Sequence, residues 1–265
     1  MRARCCSVPR ATVGIVFLSA THCASINPVL APTRVLAPGA RSVTVGSGYA
    51  APVVAPEARA AAMGSADLRA AAGTLAYAQS PQGLGPYVVA RFGLPIGHEF
   101  HVGLVGHAVR AGVRKAVWHD RDETWSAVVG VQTRGSATGW GLDGALPGLR
   151  VDSAGLFGAD VHAALGRTNS GLYDAWLGAR VGYTHGWAAL QSPSLNAGST
   201  VNGLLHRAEV GLSVGLRVGF GRVAALAELE ANVQYCDVSD STGLHASVAG
   251  FSLLPATALS FSFGP

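Results

Sequence analysis

Two short patterns in the chain hold residue types that hydrolytic chemistry uses. His245-Ala246-Ser247 sets an imidazole two residues before a hydroxyl. Residues two apart on a β-strand share a face, so His245 can take the proton of Ser247 and make it a nucleophile. No orienting acid or amide for His245 is assignable from the sequence. Asp160-Val161-His162 places a carboxylate and an imidazole at the same spacing. His119-Asp120-Arg121-Asp122-Glu123 gathers metal-ligand types, but its mixed charges read as a solvated turn. Of the four cysteines, Cys5 and Cys6 lie at the amino terminus, leaving Cys23 and Cys236 with no C-x-x-C spacing. No metal site and no cofactor is expected.

The first residues read as an export signal. Arg2, Arg4 and Arg10 precede the apolar run Ala11–Ala20, the order of a secretory n- and h-region. Residues 1–22 are assigned to this signal. Cys23 follows it and is a lipidation candidate, although Ala20 and His22 fit the usual lipobox poorly. Ordinary cleavage after Ala20 or Ala24 is the alternative. Without the three signal arginines, sixteen basic residues face fifteen acids. Nucleic-acid binding thereby loses its electrostatic support.

The elements that would position these groups follow from composition and period. Hydrophobic residues make up 49% of the 265-residue chain and charged residues 13%, with mean hydropathy +0.32. Soluble domains carry about 25% charged residues. Yet no apolar run approaches the ~18 residues of a membrane helix. Such a chain is apolar in total and never for long in sequence, which is the signature of alternating strands.

The alternation is cleanest from Leu204 onward. His206, Ala208, Val210, Leu212, Val214, Leu216, Val218 and Phe220 share one face; Arg207, Glu209, Gly211, Ser213, Gly215 and Arg217 share the other. A second run, Val223 to Tyr235, repeats this after only Gly221-Arg222, a two-residue loop suited to a type II′ turn. Pairing Phe220 with Val223 sets Gly215 opposite Glu228 and leaves Arg217 diagonal to Glu228, within reach for an ion pair. Strands of thirteen or more residues exceed the usual five or six of globular proteins. Tyr173 and Tyr183 end one apolar face. Ten residues at about 3.3 Å, tilted about 40°, span about 25 Å, the height between two aromatic girdles. Trp125, Tyr173, Tyr183, Phe220, Tyr235, Phe261 and Phe263 are the girdle candidates.

The expected fold is all-β, a transmembrane antiparallel up-and-down barrel of about ten strands, with 8 to 12 as the range. The strands expected are 67–78, 86–93, 99–106, 108–117, 124–134, 154–166, 172–184, 206–220, 223–235 and 251–263. Parity changes within 99–117, so that stretch is either a hairpin or one bulged strand. Residues 23–65 are assigned to a periplasmic lead-in, in which Ser42–Tyr49 is a candidate first strand, and 66–265 to the barrel. The short connections 118–123, 167–171 and 221–222 should be periplasmic. The long ones, 135–153, 185–205 and 236–250, should face outward and be open to an extracellular partner.

The last strand, with Phe251, Phe261 and Phe263 on one face, resembles the assembly signal of bacterial outer-membrane barrels, although Gly264-Pro265 follows the final aromatic. Residues 67–265 as a whole resemble small bacterial outer-membrane barrels of the OmpA or OmpW type. The start, Cys23-Ala24-Ser25 followed by Thr33 to Gly39, looks like that of lipid-anchored barrels. The resemblance implies a bacterial outer-membrane address, with the membrane lipids and the barrel assembly machinery as partners. His245-Ala246-Ser247 resembles the H-x-S pair of outer-membrane lipid esterases. Asp160-Val161-His162 resembles the D-x-H pair of outer-membrane aspartyl proteases, which need a second acidic pair at the outer rim; the sequence does not place that pair, and Asp160 falls mid-strand.

The inward face would carry Arg91, Arg110, Arg114, Arg134, Arg180, Arg207 and Arg217 with Asp160, Asp174, Glu209, Glu228 and Glu230. Near-balanced charge in so narrow a barrel implies an ion-paired, filled lumen. The function expected is non-enzymatic: structural, or a narrow, mildly anion-preferring, porin-like passage. The alternatives are a lipid hydrolase using the H-x-S pair and a soluble lipocalin-like ligand-binding barrel, which would turn its apolar face inward.

Overall fold

The computed structural model describes residues 29–52, 83–138, 150–169, 172–191, 200–241 and 245–264. It contains ten strands: β1 (Arg41–Pro52), β2 (Gly83–Leu94), β3 (His98–Val105), β4 (Ala108–His119), β5 (Trp125–Thr138), β6 (Arg150–Asn169), β7 (Tyr173–Gln191), β8 (Thr200–Phe220), β9 (Val223–Asp240) and β10 (His245–Phe263). Each pairs antiparallel with its neighbour in sequence, and β1 pairs with β10 to close the barrel. Closure leaves no free sheet edge, which is what a bilayer demands of strands. No described helix is long and apolar enough to cross a membrane.

The period-two pattern sorts the side chains. Leu212, Val214, Val181, Leu177 and Val161 are exposed on the outside, whereas arginines, glutamates and aspartates are buried inside. This polarity overturns the lipocalin-like alternative, whose apolar face would line the interior. The seven girdle candidates are all exposed. Tyr183, Ala208 and Tyr235 share one cross-strand row, while Phe220 and Val223 pair at the opposite end.

Register at the β8–β9 hairpin is the one expected, with Phe220 opposite Val223 and Gly215 opposite Glu228. Gly221 holds φ +60°, which the first central residue of a type II′ turn requires. Residues 98–119 form a hairpin, turning at Gly106-His107, with a bulge in β4 between Ala116 and Trp118. Most of 236–250, expected as a long loop, continues β9 and β10.

Two expectations about the beginning of the chain are corrected. The candidate strand Ser42–Tyr49 is part of β1, Arg41–Pro52, and belongs to the barrel rather than to a lead-in, with Ser42 and Thr44 buried inward and Val45 and Tyr49 outward. Ser47 interrupts its apolar face and Gly46 and Gly48 leave its inward face bare, so its alternation is weak in sequence. The candidate strand 67–78 lies outside the described residues. The stretch Val29–Ala40 is not outside the barrel either. It runs through the lumen, from the end where the chain enters β1 (the entry end) inward, and Leu30 is wholly buried. We call it the strap.

Candidate functional site

The lumen is the site that the fold builds. Of the twelve residues expected to face inward, eleven are buried and Arg217 is half-buried. They form two assemblies along the barrel axis.

The deeper assembly is made of side chains from β5 to β9. Arg180 on β7 bonds Glu209 on β8 at 2.9 Å, pairs with Glu230 on β9, and lies 4.0 Å from Asp160 on β6. Arg134 on β5 also pairs with Glu209 and donates to the Thr184 hydroxyl at 2.7 Å. Arg207 approaches Glu209 at 3.7 Å. Gln132 extends the network, donating to Asp160 at 2.7 Å and meeting His101 at 3.1 Å. Buried charges this close are tolerable because each carboxylate faces a guanidinium.

The shallower assembly is different. Here the wall charges hold the strap through its backbone. Glu228 accepts the N–H groups of Val29 at 2.8 Å and Leu30 at 3.0 Å, one on each carboxylate oxygen. The Tyr87 hydroxyl donates to the Val29 carbonyl at 2.9 Å, Arg91 to the Leu30 carbonyl at 2.6 Å, and Arg114 to the Pro32 carbonyl at 3.0 Å. Glu99 accepts Leu36 N–H at 3.0 Å and pairs with Arg114 at 2.7 Å. Ser126 donates to the Thr33 hydroxyl at 2.8 Å. A chain segment inside a barrel must satisfy its peptide groups somewhere, and these side chains do so. Leu30 packs among Tyr87, Val89, Trp176 and Leu226.

The wall is shaped to the strap. A Cβ on Gly166 would come within 2.5 Å of the Thr33 hydroxyl oxygen. One on Gly215 would fall 2.0 Å from the Trp176 ring. That close approach lets Trp176 cross to Glu228 and donate to it at 3.2 Å. A cavity of about 20 Å³, lined by Val29, His162, Arg180 and Glu230 among others, separates the two assemblies. It has room for about one water molecule.

The structure corrects one ion pair. Arg217 does not reach Glu228; it bonds Asp174, its direct cross-strand neighbour, at 2.9 Å. Among the described residues no arginine forms an ion pair with Glu228. Glu99 was missing from the expected inward set, although it sits two residues before His101 on the same strand face. The strap and the Trp176 crossing were also missed, because neither has a period-two signature.

The other candidates fall as follows. Asp160 and His162 are both buried in the lumen, Asp160 within the arginine network and His162 against Gly130. Asp120 accepts the Thr124 hydroxyl at 2.7 Å and Trp125 N–H at 3.0 Å, which holds its carboxyl below the usual range. It shapes the β4–β5 turn, and no metal-binding group of three forms among the described residues. Ser247 is exposed on the outer face, opposite Asp237, and His245 opens β10 opposite Ser239. Asp237 continues a row through His206 to His185, whose rings lie 4.8 Å apart. That row is the next one beyond Tyr183, Ala208 and Tyr235. Cys236 is a buried free thiol opposite Arg207. Cys23 lies outside the described residues.

A closed ten-strand barrel, charged within and apolar without, defines a transmembrane β-barrel of the outer-membrane kind. Among solved structures the chain is similar to the outer membrane protease OmpT of Escherichia coli, at 8% identity and TM-score 0.44, covering 87% of this chain and 100% of that one. It is also similar to the Neisserial surface protein NspA, at 13% identity and TM-score 0.32, covering 85% and 99%. A third is a major outer membrane protein of Thermus thermophilus, at 11% identity and TM-score 0.35, covering 84% and 99%. Likeness this distant carries nothing about activity. No family model and no curated protein matches the chain.

Proposed function

We propose that the protein is a structural barrel of the bacterial outer membrane, with a closed, non-conducting and non-catalytic lumen. The observation that carries this is the Arg180 network with the strap beneath it, and the cavity between them holds about 20 Å³. In this reading the entry end faces the periplasm, residues 1–22 are removed after export, and Cys23 is the candidate for acylation. The girdles meet the membrane lipids, and β10 is the strand offered to the assembly machinery. The loops at the far end are open to an extracellular partner.

Planar-bilayer recording tests the lumen: the parent protein should be silent, and steady open-channel current would sink this reading in favour of a narrow pore. Leu212→Asp or Val214→Asp should block membrane assembly. A variant that stays folded and soluble without detergent would refute the membrane placement. Mass spectrometry of the mature amino terminus decides between acylated Cys23 and an unmodified start.

A second reading concerns the outer face alone. The register brings Asp237 opposite Ser247, two residues after His245, in the row just beyond a girdle where lipid esters lie. This supports an outer-leaflet ester hydrolase. A phospholipid or lipid A deacylation assay comparing the parent with Ser247→Ala decides it, since turnover lost in the variant would establish the enzyme.

A further inference from the structure

Glu228 is a buried carboxylate whose two oxygens accept two successive peptide N–H groups of the strap. We infer that the entry half of the lumen is a binding pocket for a peptide segment, and that the strap is its exchangeable resident occupant. This rests on the closed-lumen reading, because the Arg180 network is the pocket's floor.

Three observations carry the inference. First, recognition runs mainly through the peptide backbone. Glu228 and Glu99 accept N–H groups; Arg91, Arg114 and Tyr87 donate to carbonyls. Such contacts read the direction and the backbone course of the occupant. Pro32 fits because it brings no N–H that would need a partner.

Second, the wall is complete without the occupant. The ten strands close through β1–β2 and β1–β10, and Val29–Leu36 contributes no ladder pair. Arg114 and Arg91 have a wall residue, Glu99, as ion partner at 2.7 and 3.9 Å, so their charges do not depend on the strap alone.

Third, the resident occupant is strained. Leu30 holds φ +42°, in the left-handed region that branched side chains rarely adopt. The fitting partner is a segment of small apolar residues with proline that follows the backbone course of the strap, presented from the entry end.

The test uses a fluorescent peptide with the sequence of residues 27–38 and the protein in detergent micelles, with folding followed by heat-modifiable gel migration. Deletion of residues 29–36 should give a folded barrel that binds the peptide saturably, at least tenfold tighter than the parent does. Adding Glu228→Gln to the deletion should weaken binding about tenfold. A peptide N-methylated at the positions of Val29 and Leu30 should not bind, whereas one with its apolar residues shuffled should bind within a few-fold.

A folded deletion variant that ignores the peptide, or that takes the N-methylated form equally well, overturns the inference. Should the deletion fail to fold, a protease site inserted after Pro38 in the full chain replaces it. After cleavage the severed strap should exchange with labelled peptide, and a strap that never exchanges overturns the inference equally. A parent that conducts steadily in bilayers would refute the closed lumen itself, whereas a silent parent whose pocket takes no peptide refutes only the pocket.

Discussion

The two halves of the lumen solve one problem in opposite ways. Both must place charged groups where water is scarce. The deeper half sets charge against charge: Arg180 lies among Glu209, Glu230 and Asp160, all four borne by wall strands. The entry half sets charge against peptide dipoles, with Glu228 on Val29 and Leu30 and Arg114 on Pro32. The difference is in what can leave. The first set is covalently part of the wall and cannot separate without unfolding it. The second holds Val29–Leu36, which pairs with no strand; the strap's backbone bonds to β2 come only at Gly39 and Ala40. The deeper half should therefore govern global stability, and the entry half local occupancy.

The largest effect is expected at Arg180. Arg180→Met would leave three buried carboxylates short of a cation, at a cost of about 3–5 kcal/mol. Urea unfolding followed by tryptophan fluorescence measures it, and a loss below about 1 kcal/mol would dissolve the distinction between the halves.

Glu228→Gln should be smaller globally and larger locally. The amide nitrogen cannot accept a strap N–H, so one donor loses its partner, costing about 1–3 kcal/mol. Limited proteolysis should cut within residues 29–40 at least tenfold faster while the urea midpoint of the wall barely moves. If the midpoint falls as far as for Arg180→Met, the strap belongs to the wall's folding unit.

Thr33→Val removes the acceptor of the Ser126 hydroxyl and should cost about 0.5–1.5 kcal/mol of strap docking, read by the same cleavage rates. The mildest case is Arg34, whose exposed pair with Glu123 at 3.6 Å ties the strap to the β4–β5 turn. Exposed pairs contribute about 0–1 kcal/mol, so Arg34→Ala should change cleavage less than twofold, and high salt should erase even that. A strong effect would mean that the strap is held at its mouth and not by its buried anchors.

Much of the wall was legible in the chain. The runs 206–220 and 223–235 fix their own faces, turn and register, because side-chain direction in a strand alternates with every residue whatever the surroundings. Gly221 announces the turn and Gly215 its opposition to Glu228. β1 was faint because Ser47 breaks its apolar face and Gly46 and Gly48 leave its inward face without side chains, and only its pairing with β10 and β2 makes it a barrel strand. The inward location of the arginines and acids was equally readable.

Their partners were not. Arg217 and Glu228 looked like a pair across the hairpin, yet Arg217 turns to Asp174 and Glu228 to the strap. Arg134 reaches Glu209 from β5 to β8, across three strand boundaries. By itself the sequence determined which face of each strand is apolar, and hence that the chain closes with its charges inside, because that information is local and has period two. Only the tertiary structure decided which charge meets which. Closing ten tilted strands sets the distances across the lumen, and a long arginine side chain can reach several acids within them. The same closure left a volume at the entry end that side chains did not fill, and a segment without periodicity occupies it.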